Sequence, residues 1–497
     1  MSHASKLLLL SCLACALACT VPTLEDLEAE RPAGCNADHK CPEDSVCFEN
    51  RCIRTEGLAC TPGTQEACGS DVGECSMGKR LCNAEGLLGG CEGAVGPVFE
   101  LCDGKDNDCD GRTDSWAALN LTKEHDPSAS LAAIPVNRSA VGKADTVLVL
   151  TMEPAGLVTR SFSTDGVLHA GETLSPPQDS NRQAPALVAQ GDTVAAAWIQ
   201  RTFGSKLPPK VYLTLMDGSG KQTTQPLEVP YTSGTTSLTN ASKLELAINS
   251  THILLLVTTT GDGTTLGSEV WAVTVSRDLT PKSVSTPLRL TLPASSFGLH
   301  ATANGKSDRF LVAYDNGSGQ YVGVISNTGL LAGTPVLLTR GSFNHSPFIV
   351  PQKDTETGFT VYYVQNSFEP SKSDILSVTC PATQTSPCLG STYHSQAGHI
   401  ERMQMAKRPG EPMPGLALLV MKEALSGMRF PYFATLSPSQ VERVDPLRIL
   451  HSPTLAETIV LMPDFSRYVL YQHPVTSLAA SAVVVSSEAY LLPFCGP

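Results

Sequence analysis

The stretch THILLLVTT (residues 251–259), followed by SEVWAVTVSRDLTP (residues 268–281), carries the strand pattern from which we predict the fold. Its first part is a continuous run of large apolar and β-branched side chains, which is typical of a strand buried on both faces. The second part alternates in the period of two that a half-buried strand requires. Asp278 and Pro281 then supply a turn. The pattern predicts two neighbouring strands, separated by a gap and followed by a turn and a further strand.

The same pattern recurs along the chain, with successive starts about 45–60 residues apart. Repeats of this length with four strands each predict the blades of a β-propeller, and we count about seven, the last three degenerate. The predicted fold is therefore mainly β and resembles bacterial β-propellers over residues 128–497, with tandem β-sandwiches as the alternative. The apolar runs that start the repeats are Asp145–Met152, Asp192–Gln200, Thr251–Thr259, Asp308–Gly319, Gly358–Gln365, Pro414–Met421 and Arg467–His473.

The composition supports a folded, turn-rich protein. Of 497 residues, 41% are hydrophobic, so a packed core is expected, while only 17% are charged. The formal net charge is −13, and no basic tract is present. Because nucleic-acid binding needs clustered Lys and Arg to neutralise phosphates, we expect no nucleic-acid partner.

The first residues have the layout of a secretory signal. Lys6 precedes a short apolar run that ends at Ala18. This run is shorter than the roughly 20 residues that span a bilayer. We predict a signal peptide over residues 1–18.

The sequence Ala16-Leu17-Ala18-Cys19 resembles the lipobox of bacterial lipoproteins, with Ala16 where that family usually has Leu. The resemblance implies acylation of Cys19, a membrane anchor and a tether over residues 19–32, with ordinary secretion as the alternative. Thr20 follows the cysteine, where inner-membrane lipoproteins carry Asp. We therefore expect an extracytoplasmic protein, either an outer-membrane lipoprotein or one at the cell surface.

Cysteines separate the chain into two parts. Eleven of the 17 lie between Cys35 and Cys109, and dense cysteine in an exported segment indicates disulfides that stabilise a small module. We place this cysteine-rich module at residues 33–116. Its first four cysteines allow three disulfide connectivities, and zinc is the weaker alternative because no CxxC pair is present. These four are Cys35, Cys41, Cys47 and Cys52.

The later part of this module reads ELCDGKDNDCDG from Glu100 to Gly111. It resembles the metal-binding motif of MopE-type bacterial surface proteins, close to E-x-C-D-G-x-D-N-D-C-D-G-x-x-D, which some relatives carry in many copies. The resemblance implies a secreted or surface-attached protein that binds a metal, and it implies no reaction. The matching residues are Glu100, Cys102, Asp103, Gly104, Asp106, Asn107, Asp108, Cys109, Asp110, Gly111 and Asp114.

The residues of this motif also indicate calcium by their own chemistry. Three Asp at alternate positions followed by Gly111 reproduce the D-x-D-x-D-G start of a calcium loop, although Ala117 replaces its final Glu. Hard oxygen ligands select calcium, and copper is the weaker prediction because the loop contains no His or Met. The alternative is an ion-free turn cross-linked by Cys102–Cys109. The predicted ligands are Asp103, Asp106, Asp108, Asp110 and Asp114.

The remaining cysteines lie in the large β domain. Cys380 and Cys388 flank a short loop, so we predict a disulfide between them. Cys495 is left over, and the later part of the cysteine-rich module holds an odd number of cysteines, namely seven. We predict that Cys495 pairs with one of those seven.

Searching for catalytic motifs finds neither a GxSxG elbow nor an HExxH helix. Gly218–Lys221 reads as a β-turn rather than a P-loop, His394 and His399 as loop histidines, and Trp198 and Trp271 as core residues. We therefore favour a surface-anchored, non-enzymatic binding or structural module with an extracellular protein or glycan ligand. The alternatives are a propeller enzyme acting on extracellular glycans and a copper-binding surface protein.

Overall fold

The computed structural model contains two compact units, Met1–Val98 with Lys105–Thr113, and Phe99–Gly104 with Asp114–Pro497. We call them the head and the β domain. The signal peptide, the tether and Cys19 lie outside the described residues. No helix among the described residues is long and apolar enough to cross a membrane. The structure describes residues 35–36, 40–98, 104–111, 113, 119–125, 131–136, 146–154, 156–163, 167–174, 185–201, 207–233, 239–260, 267–291, 298–303, 308–315, 319–340, 344–351, 358–366, 372–380, 389–397, 399–406, 416–422, 429–436, 441–446, 455–461, 467–479 and 482–494.

The head contains two short hairpins and is held together by disulfides. Strands β1 and β2 pair with each other, as do β3 and β4. The strands are β1 Ser45–Phe48, β2 Arg51–Arg54, β3 Gln65–Cys68 and β4 Gly78–Leu81. The disulfides of the described residues are Cys35–Cys47, Cys41–Cys52, Cys60–Cys82, Cys68–Cys91 and Cys75–Cys109. Such a set stabilises a module too small for a large apolar core.

The structure confirms disulfides at the first four cysteines of the head, but it contradicts the pair Cys102–Cys109. The sulfurs of Cys35, Cys41 and Cys52 lie within 4.8 Å of one another, but each belongs to a disulfide rather than to a zinc site. The cross-link Cys102–Cys109 is wrong, because Cys109 is bonded to Cys75. Cys102 and Cys109 were paired because they are close in sequence, whereas folding brings Cys75, which is 34 residues away, to Cys109.

The β domain consists of seven four-stranded sheets within the described residues, as predicted. Sheets 1 to 3 are β6 Ala132–Val136, β7 Thr146–Glu153, β8 Gly156–Ser163, β9 Leu168–Thr173; β10 Ala186–Gln190, β11 Thr193–Gln200, β12 Lys210–Met216, β13 Leu227–Glu228; and β14 Asn240–Ile248, β15 His252–Thr260, β16 Ser268–Ser276, β17 Leu288–Arg289. A 3₁₀ turn, Pro281–Ser283, precedes β17. Sheets 4 to 6 are β18 Leu299–Ala303, β19 Arg309–Asp315, β20 Gly319–Ser326, β21 Val336–Arg340; β22 Asn344–Pro351, β23 Phe359–Asn366, β24 Lys372–Cys380, β25 Leu389–Ala397; and β26 His399–Ala406, β27 Leu416–Lys422, β28 Arg429–Leu436, β29 Val441–Pro446. Sheet 7 is β30 Leu455–Leu461, β31 Arg467–Ala479, β32 Ala482–Phe494 and β5 Leu119–His125.

The apolar runs that reveal the repeat form the second strand of each sheet. This strand is paired on both edges and covered by a neighbouring sheet on both faces, which explains its unbroken apolar sequence. In β15, the five side chains of Ile253–Val257 are completely buried. The seven second strands are β7, β11, β15, β19, β23, β27 and β31.

The first strands of the seven sheets follow one another in a circular order. Each contacts the first strand of the next sheet, from β6 through β10, β14, β18, β22 and β26 to β30, and β30 contacts β6. Apolar clusters fill the spaces between successive sheets, as between sheets 2 and 3 and between sheets 3 and 4. The alternative of tandem β-sandwiches is wrong, because a sandwich pairs two sheets whereas each of these sheets packs between two others. The fold is a β-propeller of seven sheets.

Sheet 7 combines both ends of the β domain. Strand β5 pairs antiparallel with β32, with Leu119 opposite Leu491. The predicted start of the β domain at residue 128 leaves β5 out, although this pairing makes it part of sheet 7. The repeat pattern could not show it, because β5 stands alone before the first complete repeat and its partner lies more than 350 residues later.

Gly218–Lys221 form a turn, as predicted, and not a phosphate-binding loop. This turn connects sheet 2 to sheet 1. The Asp217 carboxylate accepts hydrogen bonds from the backbone of Ser219 and Lys221 at 2.9 and 3.1 Å. Gly220, with a φ of +85°, places its carbonyl 3.2 Å from the hydroxyl of the buried Thr159. The turn therefore joins neighbouring sheets by hydrogen bonds.

The other cysteines are only partly described. Cys380 is disulfide-bonded, and its predicted partner Cys388 lies outside the described residues. Cys102 and Cys495 lie outside them as well, so the link between Cys495 and the cysteine-rich module stays a prediction. Six of the seven candidate partners for Cys495 pair among themselves, which leaves Cys102.

Candidate functional site

The Asp-rich loop of the head brings three carboxylates together. Asp106, Asp108 and Asp110 each place a carboxylate oxygen within 4.8 Å of the others. Oxygens that bind calcium at 2.3–2.6 Å cannot lie more than about 5 Å apart, so this set fits around one such ion. Asp103 and Asp114, the other two predicted ligands, lie outside the described residues.

Backbone amides fold the loop around Asp106. The amides of Asp110 and Gly111 donate to the two oxygens of the Asp106 carboxylate at 3.1 and 3.0 Å, and Asp110 also donates to Asp108 at 3.2 Å. Gly111 has a φ of +86°, in the left-handed region where glycine is favoured. This is the sharp turn that the sixth position of a calcium loop requires.

A second segment of the head supports the loop from behind. The Glu74 amide donates to the Asp106 carbonyl at 2.9 Å, and the neighbouring Cys75 is bonded to Cys109 within the loop. A Cβ at Gly73 would lie only 2.2 Å from the Asp106 carbonyl oxygen, so the two backbones approach as closely as glycine allows. Asp106 is consequently 8% exposed. The sequence did not predict that Gly73 and Cys75 support the Asp106 loop. The only signal was a glycine shortly before a cysteine.

The donor set of this loop suits a hard divalent cation. All three converging groups are carboxylates, and none of the residues 104–111 is a His or Met. Oxygen-only sites favour calcium or magnesium, whereas copper prefers imidazole and sulfur ligands. The residues present therefore fit calcium better than copper.

Buried carboxylates in the β domain have structural partners. Glu153 forms a two-pronged ion pair with Arg160, with distances of 2.8–3.0 Å. Glu269, which is 1% exposed, accepts from the indole of Trp271 at 3.0 Å and pairs with Arg289 at 3.3 Å. In the described part of this domain, no three His, Cys, Asp or Glu side chains converge as the loop carboxylates of the head do.

The histidines and tryptophans singled out in the sequence also have defined places. The prediction of loop histidines is wrong, because His394 lies in β25 and His399 begins β26. Their spacing of five residues spans the end of one sheet and the start of the next, which a single periodicity cannot show. The prediction that Trp198 and Trp271 are core residues is confirmed, since they are 2% and 3% exposed.

Comparison with known proteins finds only distant structural similarity. No protein-family profile matches the chain, and no curated protein matches it. A structure of the Dos1 propeller has 9% identity and a TM-score of 0.41, covering 76% of this chain and 94% of that one. A six-bladed fucose-recognising lectin of Aleuria aurantia has 11% identity and a TM-score of 0.36, covering 65% and 97%. An α-L-arabinofuranosidase of Fusarium graminearum has 11% identity and a TM-score of 0.39, covering 62% and 92%.

Proposed function

We propose that this protein is a lipid-anchored binding module of the bacterial surface, in which a calcium-stabilised head accompanies a β-propeller that binds an extracellular ligand. The observation that carries the calcium assignment is the convergence of Asp106, Asp108 and Asp110 within 4.8 Å. The five described disulfides indicate an extracytoplasmic protein, because cytoplasmic thiols are kept reduced.

Electrostatic repulsion supports the presence of a cation in the loop. Three carboxylates this close repel one another when ionised, and a divalent ion between them reverses that repulsion. Asp106 is turned inwards and bound by two backbone amides, so it cannot relieve the repulsion by moving into solvent. Asp103 and Asp114 are proposed to complete the coordination.

We expect calcium to bind the purified protein and to stabilise its head. For an extracellular-type affinity of roughly 0.1–1 mM, about 5 mM calcium should add about 1–2 kcal/mol to the free energy of unfolding. Asp108→Asn, which keeps an oxygen able to accept from the Asp110 amide, should weaken calcium binding about tenfold or more. Calorimetry and thermal unfolding in calcium and in chelator measure both effects.

The matched control is Glu85→Gln, which removes one exposed carboxylate of the head outside the loop. It should leave the calcium response unchanged. If calcium neither binds nor stabilises, the loop is an ion-free turn. A response to copper but not to calcium would favour the copper-binding alternative instead.

The lipid anchor makes a separate prediction. Cys19→Ser removes the thiol that acylation requires, so the protein should move from the membrane fraction to the soluble extracytoplasmic fraction. Cys12→Ser, in the same apolar run, should leave it membrane-bound. Fractionation followed by mass analysis of the mature N-terminus checks this, and an unacylated N-terminus in the native protein would show ordinary secretion.

A further inference from the structure

Sheet 7 depends on a strand that comes from the opposite end of the β domain. Strand β5 forms one edge of this sheet, and β32 is its neighbour among the described strands, so a single ladder holds its backbone. This ladder changes register twice, whereas β31 and β32 pair without interruption along their 13 residues. Leu121 is buried, but the buried side-chain oxygen of Asn120 accepts no hydrogen bond in the described part of the chain. Irregular pairing and an unsatisfied buried group both weaken the attachment of β5.

The pairing of β24 with β25 assigns one cysteine pair of the β domain. Cys380 ends β24 and is disulfide-bonded. Thr379 lies opposite Leu389, so continuing the register by one position pairs Cys380 with Cys388. Opposite residues of antiparallel strands have Cα atoms about 4.5–5.5 Å apart, which is the separation that a disulfide requires. We therefore assign Cys388 as the partner of Cys380.

Two cysteines are left over after this assignment, Cys102 and Cys495. The other ten cysteines of the head form the five described disulfides. Cys12 and Cys15 belong to the predicted signal peptide, and Cys19 is the proposed acylation site. In an oxidising compartment, two remaining cysteines of one chain favour a disulfide with each other.

Both cysteines belong to the same compact unit and lie near its ends. This unit comprises Phe99–Gly104 and Asp114–Pro497, so its short first segment contains Cys102 and the end of its long segment contains Cys495. The first residue of β5 lies opposite a residue of β32 that comes four positions before Cys495. The pairing of β5 with β32 therefore brings the start of the β domain to its end.

We propose that a disulfide between Cys102 and Cys495 joins the two ends of the β domain and holds β5 in sheet 7. The bond closes a loop of about 390 residues, so it removes much of the conformational freedom of the unfolded chain. Its formation oxidises two thiols, whose two electrons and two protons pass to the disulfide of an extracytoplasmic oxidoreductase by thiol–disulfide exchange. A covalent link at this position compensates for the irregular ladder of β5.

Non-reducing peptide mapping of the purified full-length protein tests the bond directly. Alkylation of free thiols followed by protease digestion should give a cross-linked peptide pair that carries Cys102 and Cys495 and separates on reduction. A free thiol at Cys495, or a bond from Cys495 to Cys380, Cys388 or a second chain, would overturn the proposal. If the cysteines of the head were free as well, the extracytoplasmic location would also be wrong, so the two failures are distinguishable.

Tryptophan fluorescence measures what the bond does for the β domain. The three tryptophans, Trp116, Trp198 and Trp271, all belong to the unit that contains this domain. Replacing both Cys102 and Cys495 by serine should lower the Tm of the fluorescence transition by about 5 °C, because a very long loop is no longer closed. Hydrogen exchange should become faster in β5 and stay unchanged in β15, which is paired on both edges.

The matched control replaces Cys41 and Cys52 by serine, which removes a disulfide of the head. It should leave the fluorescence transition and the exchange of β5 unchanged. All measurements are made in chelator, so they do not depend on the calcium proposal. Unchanged Tm and β5 exchange without Cys102 and Cys495 would show that the bond does not hold β5. Peptide mapping uses the native protein, so it tests the bond even where the double variant fails to fold.

Discussion

Replacing both Cys75 and Cys109 by serine should lower the free energy of unfolding of the head by about 4 kcal/mol. This disulfide closes a loop of 34 residues, and the chain-entropy estimate for a loop of that length has this size. Its loss also frees the Gly73–Cys75 segment that backs Asp106. We therefore expect the calcium response to disappear together with the stability.

Removal of Cys41 and Cys52 provides the matched comparison. That disulfide closes 11 residues in the first hairpin, so its loss should cost about 3 kcal/mol. The Asp106 loop makes none of its described contacts with this hairpin, so calcium should still bind. Denaturant unfolding with calcium calorimetry measures both outcomes. Equal loss of calcium binding in the two variants would show that the Cys75–Cys109 bond has no special role in holding the loop.

Acid should destabilise the β domain through His300, and His300→Asn should remove that effect. The folded-state pKa of about 3 lies below the unfolded value of 6.5, so the unfolded chain binds more protons between them. The contribution of neutral His300 is complete above pH 6.5 and is lost as the pH falls through that value. At about pH 5 the loss should reach about 2 kcal/mol.

Glu245 opposes this trend and must be separated from it. Its pKa is raised from 4.5 to about 7, so its contribution to stability grows as the pH falls through about 7. The pH dependence of wild-type stability therefore does not by itself reveal the contribution of His300. The difference in unfolding free energy between wild type and His300→Asn, measured by denaturant at about pH 7 and pH 5, isolates it and should shrink by about 2 kcal/mol. A constant difference would contradict the burial of His300 as a neutral ring.

The repeat pattern was sufficient to predict seven sheets because burial of a strand on both faces requires a continuous apolar sequence, which can be recognised locally. Each second strand must be apolar on both sides, so a run such as Ile253–Val257 is visible without knowledge of its neighbours. The Asp106 loop was visible for a similar reason, since its three carboxylates and the glycine that turns the chain are adjacent in sequence.

Contacts between residues that are distant in sequence produced no such local pattern. Cys109 joins Cys75 rather than a nearer cysteine, and β5 completes a sheet whose other strands lie at the far end of the chain. The contact of Glu245 with the Ala301 amide and that of His300 with the Ile349 amide could not be predicted, because each joins two strands that read as ordinary repeats. Each contact forms only when two successive sheets pack against each other.

From the sequence we could predict a secretory signal, a cysteine-rich module, an Asp-rich loop and a repetitive β domain, because composition, spacing and periodicity are local properties. Only the folded structure shows which cysteines pair, how the first and last strands of the β domain join, and which polar side chains bond to the backbone of the next sheet. Those outcomes depend on loop closure and sheet packing over tens to hundreds of residues, and the free energies involved are set by the folded geometry rather than by neighbouring residue types.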